Sequence, residues 1–328
     1  MVIEYFFQIH GISVSVKGDH PEIMEQLAQE WRFFGCGPVP SPRIHITLTQ
    51  KEDLNEDKTP METLQRDPGD EIYWIRKDTV SVLNIPNRTV HLYISKLCPV
   101  DAAVVILFGT TGFLVHLELS LMGDLAVFHG ASLYKDGMGF LLLGKTNSGK
   151  TSLSCLLTKY GFSYLSEEDS FIRMESNGSF QILPYPRRIR ITRDVMNLHP
   201  ELGLMAHEKA RVQSMDEEVF RIDSREPLPE SAPLKQVIFL DNDIKHLSIY
   251  SDKMDKAEAF FSLLASLETV RIQESPDTAR EDLVRHNRAA FNVSQSIVDS
   301  IAITRLKYNI IRDFPFLPGI IMNILKAV

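Results

Sequence analysis

Residues 137–168 read GMGFLLLGKTNSGKTSLSCLLTKYGFSYLSEE, and the fold turns on how this stretch is taken. Phe140–Leu143 is an unbroken apolar run of strand length, the pattern of a strand buried on both faces. Leu153, Leu156 and Leu157 then recur at helical spacing, and Gly161 supplies a C-terminal stop. Between strand and helix stands Gly144-x4-Gly149-Lys150-Thr151, a complete match to G-x4-G-K-[ST]. The two glycines permit close backbone approach, so successive N–H groups can converge on phosphate oxygens at the helix N-terminus. The expected nucleotide contacts are Gly144, Lys145, Thr146, Asn147, Ser148, Gly149, Lys150, Thr151 and Ser152. Lys150 is placed to reach the β- and γ-phosphates and the Thr151 hydroxyl to hold Mg2+. A plain Gly/Ser-rich turn is the competing explanation, and the correct strand and helix flanks decide against it.

Working outward, the bulk properties narrow the class. The chain has 328 residues, enough for one large or two ordinary domains, with 44% hydrophobic and 24% charged residues, as in soluble globular proteins. A formal charge of −8 leaves no basic footprint and argues against nucleic acid as a partner. Three widely spaced cysteines, Cys36, Cys98 and Cys155, read as buried thiols of a reducing compartment and not as a disulfide frame or zinc site. The N-terminus has no secretory pattern, and the apolar stretch from Ala102 to Leu119 is broken by glycines and threonines and carries His116 and Glu118. It reads as a buried helix, not a membrane span. A cytoplasmic location is expected.

Residues 1–99 read as a smaller N-terminal α/β domain, and 100–328 as the domain that carries the loop. Strand-like runs cover Tyr5–Val16, Arg43–Thr49, Ile72–Ile75, Thr79–Leu83 and Thr89–Ser95, with a helix bearing Ile23, Leu27 and Trp31 between the first two. Lys51–Asp70 is polar and reads as a loop. A substrate-guiding and a purely structural role fit the first domain equally well. Asp101 is a candidate cap for a helix reaching Met122.

Asp136-Gly137 is a hairpin signal. Pairing Lys135 with Met138 puts His129 opposite Gly144, at the mouth of the loop. Beyond Gly161, a parallel strand at Phe162–Leu165 ends on the same sheet edge as the loop, so Glu167, Glu168 and Asp169 face the phosphate site. Carboxylates there suit two tasks, holding a metal and accepting a proton. Asn177-Gly178 marks another hairpin, and Arg187, Arg188 and Arg190 come next as candidate anion contacts or surface arginines. Residues 199–232 read as polar and irregular. The strand Gln236–Leu240 ends in Asp241-Asn-Asp243, an alternative metal ligand. An amphipathic helix around Phe260 and Leu263, a strand at Ile303–Tyr308 and a helix at Gly319–Val328 complete the chain.

His129-Gly130, a hairpin, Gly144–Thr151 and an acidic pair that begins sixteen residues after Thr151 together resemble the catalytic core of bacterial HPr kinase/phosphorylase. The resemblance covers about residues 125–170. It implies an α/β phosphate-loop core similar to that of phosphoenolpyruvate carboxykinase, and transfer of the γ-phosphate of ATP to a serine hydroxyl of a small protein. It implies further that Lys150 grips phosphate and that Thr151 helps hold Mg2+. The family's aspartate pair corresponds to Glu167, as base or orienter, and Glu168, at the metal; His129 lies near the transferred group. Two departures stand out. The pair is glutamate here, and Pro184–Arg190 replaces the family's glycine-rich signature. These turn the expectation from HPr toward the peptide-tailoring relatives, including lasso-peptide precursor kinases.

The expectation is therefore an ATP- and Mg2+-dependent kinase acting on a peptide or small protein. His129, Lys150 and Glu167 are its catalytic residues, and Thr151 and Glu168 its metal ligands. Self-association is left open. The alternatives are a small-molecule kinase and a non-catalytic ATP-binding switch; the sequence holds no N-K-x-D stretch for guanine.

Overall fold

The computed structural model describes residues 2–51, 63–66, 71–76, 78–186, 189–200, 208–212, 217–222, 228–243, 245–268 and 280–327. It is a mixed α/β protein of two compact units. The first unit is built on the residues up to Met122 and takes in the start of the helix Arg280–Ser300, as far as Asn287. The second begins at Gly123 and contains the glycine-bounded loop. The helix that starts at Val100 thus belongs to the first unit, beyond the division placed at residue 99 from the sequence.

The strands of the first unit are β1 (Ile3–Ile9), β2 (Ile12–Gly18), β3 (Gly35–Cys36), β4 (Ile44–Lys51), β5 (Thr63–Arg66), β6 (Glu71–Arg76), β7 (Thr79–Asn84) and β8 (Thr89–Ser95). They form one eight-stranded sheet in the order β3-β1-β2-β4-β8-β7-β6-β5. The run Tyr5–Val16 is two strands, not one. His10 and Gly11, at φ 49° and 92°, form a tight turn with the handedness of strand twist, and the chain doubles back there. Thr63–Arg66 is likewise a strand, paired with β6 inside the stretch taken from the sequence as a loop; residues 52–62 lie outside the described residues. Helix α1 (Pro21–Glu30) and helix α2 (Val100–Met122) pack on the sheet, with Trp31 set between Phe7 and Phe108. Helix α2 is long and apolar enough to cross a membrane, and most of its residues are buried. Asp101 lies within its first turn, where it accepts from Gln26 Nε2 at 2.6 Å.

In the second unit, nine strands form a branched sheet. They are β9 (Leu125–His129), β10 (Ala131–Lys135), β11 (Met138–Leu143), β12 (Ser163–Ser166), β13 (Asp169–Met174), β14 (Phe180–Leu183), β18 (Ala232–Asn242), β19 (Tyr250–Lys253) and β20 (Ala302–Tyr308). The intervening strands β15 (Ile189–Thr192), β16 (Glu208–Val212) and β17 (Glu217–Ile222) make a separate three-stranded sheet, with α4 (Arg193–Leu198) beside it. Residues 199–232, read from the sequence as irregular, thus include two strands. Arg187 and Arg188 lie outside the described residues.

β18 is the spine. It pairs in parallel with β11 and β20, while its first residues pair with β14. Alternation along these strands sends two residue sets to opposite faces. Leu142, Ile238, Leu240, Leu306 and Tyr308 pack against α3 (Lys150–Lys159) and the closing helices α7 (Ile310–Asp313) and α8 (Leu317–Lys326). Leu141, Leu143, Val237 and Phe239 pack against α5 (Lys256–Ala265) and the later part of α6 (Arg280–Ser300). The loop therefore emerges at a sheet edge with helices on both faces. The cysteines are free; Cys155 is buried as expected, whereas Cys36 is exposed on its short edge strand and burial pushes the half-covered Cys98 thiol up to about 11.

Candidate functional site: a glycine-bounded loop facing two carboxylates

The Gly144–Gly149 loop joins β11 to α3, in the strand–loop–helix order read from the sequence. Gly144 and Gly149 take φ of 149° and 92°, and Asn147 between them is also left-handed at 63°. A Cβ at Gly144 would stand 2.6 Å from Ser148 Oγ and 2.7 Å from the Leu240 carbonyl, so the loop closes tightly on the end of β18. Lys145, Thr146 and Asn147 are exposed, Ser148 and Ser152 are buried, and Lys150 and Thr151 are half-buried. Lys150 Nζ donates to the carbonyls of Gly144 at 2.9 Å and Lys145 at 3.2 Å, folding its ammonium over its own loop. Burial lowers its pKa, while the charges of Glu167 and Glu168 act to raise it. The two carboxylates of the sequence pair are thus brought within electrostatic reach of the loop lysine.

The acidic pair occupies the turn between β12 and β13. β12 runs antiparallel to β10, which runs antiparallel to β11, so β11 and β12 point the same way with β10 between them. That delivers Glu167 and Glu168 to the edge where the loop emerges. A buried chain of hydroxyls pins the turn. Ser132 meets Ser166, Ser166 meets Ser170 at 3.0 Å, and Ser170 donates to the Gly130 carbonyl at 3.1 Å. Glu168 has φ 66°, an uncommon conformation for a non-glycine residue. Its carbonyl accepts from Gly130 N–H at 3.1 Å, which ties the turn to the start of β10.

His129 comes to this cluster by another route than the one read from the sequence. The Asp136-Gly137 hairpin has the expected register, Lys135 against Met138. Extended, that register would put His129 against Gly144, but the chain changes partner at Gly130. A Cβ at Gly130 would stand 2.5 Å from Leu143 Cδ2 and 2.7 Å from the Leu142 carbonyl, so only glycine passes the end of β11. β9 pairs instead with β13, His129 against Asp169. Asp169 is thereby built into a strand ladder, while Glu167 and Glu168 lie in the turn before it.

The sequence gives no sign of the partner of His129. Residues 266–268 run alongside β9: His129 N–H donates to the Ser266 carbonyl at 2.7 Å, and Glu268 N–H to the Val127 carbonyl at 2.9 Å. This sets Glu268 Oε1 3.3 Å from His129 Nδ1. The Glu268 carboxylate raises the pKa of His129; burial and Lys150 oppose it, and Glu168 adds to it. No local motif announces Glu268, since it is brought to His129 only by the pairing of distant segments.

Asp241, the alternative metal ligand, is the last residue but one of β18, 3.7 Å from His246 Nε2. With Gly144–Ser148 it lines a cleft of about 490 Å3 whose far wall carries Glu258, Ser262 and Ser266 from α5 and its end, and Arg305. Arg305 is engaged by both Glu258 oxygens and by Asp252.

The residues fit a Mg2+–phosphate group. Among the described residues no set of three or more His, Cys, Asp or Glu side chains gathers as a metal cage. Mg2+ bound with phosphates takes one or two protein oxygens and keeps its waters, so a cage is not required. Ser148 Oγ is buried without a hydrogen-bond partner inside the loop, a polar atom left open where a ligand oxygen is expected.

No family model matches the chain, and no curated protein matches it. Among solved structures, it is similar to the HPr(Ser) kinase/phosphatase from Coxiella burnetii over 60% of this chain and 94% of that one, at 16% identity and a TM-score of 0.31.

Proposed function

We propose that the protein is a kinase that uses ATP and Mg2+ to phosphorylate a hydroxyl, that of serine, on a peptide or small protein. One observation carries the reading. A complete phosphate loop at a strand–helix junction has its lysine in the joint field of two carboxylates, with a histidine beside them. The second carboxylate at this edge is what favours transfer over binding alone, one for the metal and one for the acceptor proton.

Each residue then has a task. The loop N–H groups and the N-terminus of α3 bind the polyphosphate. Lys150 leaves its own carbonyls for the β/γ-oxygens and gains a stronger partner in doing so. Thr151 and Glu168 would hold Mg2+, which neutralises charge on the phosphates when bound. Glu167 takes the proton of the acceptor hydroxyl as the new oxygen–phosphorus bond forms and the bond to the ADP oxygen breaks. His129, kept protonated to higher pH by Glu268, adds a positive charge near the transferred group.

The test is transfer from ATP labelled in its γ-phosphate, with candidate peptides and metabolites as acceptors. Label on a peptide serine supports the reading. Label on a metabolite shifts the acceptor class. Label found only as free phosphate, with ATP altering affinity for a partner, would replace the kinase with a switch.

A further inference from the structure

Two residues to which the proposed reaction gives no task hold the loop, Tyr308 from the buried core and Asn242 from the wall of the cleft, and their role rests on the nucleotide-binding reading. Asn242 and Tyr308 are the last residues of β18 and β20 and lie directly opposite each other in the parallel register. The Tyr308 hydroxyl donates to the Ser148 carbonyl, and Asn242 Nδ2 donates to the Asn147 carbonyl at 3.4 Å. Two consecutive loop carbonyls are thus taken by two adjacent strand ends. Asn242 Oδ1 also accepts from Ile310 N–H at 2.9 Å, which fixes the orientation of the same amide. The Tyr308 ring is fully buried among Leu240, Leu306 and the closing helices, so its hydroxyl has one direction to point. Burial pushes the phenol far above its ordinary range, and it stays a donor at any working pH.

A trans peptide is planar, and its C=O and N–H point in opposite directions. With the Ser148 carbonyl turned to Tyr308, the Gly149 N–H is turned the other way, away from the ring. The glycine and the clamp are matched. A Cβ on Gly149 would stand 2.7 Å from the Tyr308 oxygen and 2.7 Å from Ile310 Cδ1, so any other residue would push the ring away.

We infer that Tyr308, assisted by Asn242, is a positioning residue: it fixes the peptide planes that present the loop's N–H groups to the polyphosphate and so sets phosphate affinity without touching the ligand. A loop already held in its binding conformation spares the ligand the cost of ordering it.

Calorimetry with ATP and, separately, inorganic pyrophosphate, each with Mg2+, tests this on the wild type, Tyr308→Phe and Asn242→Ala. Tyr308→Phe keeps the buried ring and removes one hydrogen bond, so both ligands should bind about five- to tenfold more weakly. The factor should be the same for the two, because the loop meets only phosphate. Asn242→Ala should give a smaller loss in the same direction. A merely structural tyrosine would lower the unfolding temperature of the ligand-free protein and leave the affinity of the folded protein untouched. Wild-type affinities in both variants overturn the inference alone. Failure of the wild type to bind either ligand overturns the nucleotide reading and this inference with it.

Discussion

Two charged clusters, one in each unit, show opposite solutions to the same problem. In the first unit Glu118 is 1% exposed and is met by both Arg43 and Arg88. Arg88 also holds Asp282 at 2.6 Å and donates to the Ile85 carbonyl. Burial works against its charge, and the two carboxylates outweigh burial, so its pKa is raised. Every charge there has its counter-charge within the protein. In the second unit Lys150 leans on its own loop's carbonyls, burial lowers its pKa in spite of two nearby carboxylates, and Ser148 Oγ has no partner. Glu168 is held in a strained conformation as well. The first cluster pairs its charges with one another; in the second the lysine leans on backbone carbonyls, the difference expected if the proposed nucleotide is its partner.

Substitutions at the centre of each cluster should therefore fail in different ways. Lys150→Ala should abolish phosphoryl transfer, a loss of roughly 10³-fold or more in the range for a positioned transition-state charge, and leave denaturant unfolding near wild type. Full turnover by this variant with a purified acceptor would remove the loop from the chemistry. Glu118→Ala should do the reverse. It takes one of two counter-charges from Arg88, which keeps Asp282, and the only one shown for the half-exposed Arg43 among the described residues, and should cost about 1–3 kcal/mol in unfolding free energy, with transfer unchanged in whatever fraction folds. An unfolding midpoint within error of wild type would show that solvent screens this network.

Within the second cluster the carboxylates should separate by role. Glu167→Gln keeps shape and removes the base, and a loose transition state asks little of a base, so a fall near the lower end of ~10²–10⁴-fold is expected. ATP affinity by calorimetry should hold. A wild-type rate would exclude Glu167 as base. Glu168→Gln should raise the Mg2+ concentration needed at saturating ATP more than Asp241→Asn does, since Glu168 acts on Lys150 and Asp241 stands by His246. The opposite ranking would move the metal to the end of β18.

How much of this can be read from the chain depends on the range of the interaction. The loop, its flanking strand and helix, the Asp136-Gly137 turn and the stop at Gly161 are local chemistry, and each stands where its residues put it. Extending the hairpin register to His129 carries it one strand too far. The chain changes partner at Gly130, which passes so close to Leu142 and Leu143 that only glycine fits, and turn signals carry no word of it. Glu268, Asn242 and Tyr308 escape a sequence reading for a similar reason. Each reaches the site through the pairing of strands or segments far apart in sequence, and a lone polar residue at a strand end looks the same whether it faces water or a loop carbonyl. In residues 1–99 the apolar patterns mark most of the strands but overrun the His10-Gly11 turn, a dipeptide whose positive φ values they do not announce.

The smallest expected effect concerns an ion pair of the second cluster that lies open to water. His129 and Glu268 are 45% and 46% exposed, 3.3 Å apart. The Glu268 carboxylate, bonded to the ring, raises the histidine pKa above its ordinary value against burial and the charge of Lys150. A raised folded-state pKa stabilises the fold through the protonated form. That contribution is complete at pH below the unfolded value and is lost as pH rises through the folded one. Glu268→Gln should therefore be less stable than wild type in mildly acidic solution, and the gap should close at alkaline pH. Water screens a pair so exposed, and the difference should not exceed about 1 kcal/mol. Proton NMR of the ring gives the direct readout: the His129 titration should move to lower pH in the variant. The rate of transfer should move with it, the alkaline limb of the pH profile shifting the same way if the protonated ring serves the transferred group. A titration shift with no change in that limb would leave His129 as a surface ion pair and place the positive charge of the site on Lys150 alone.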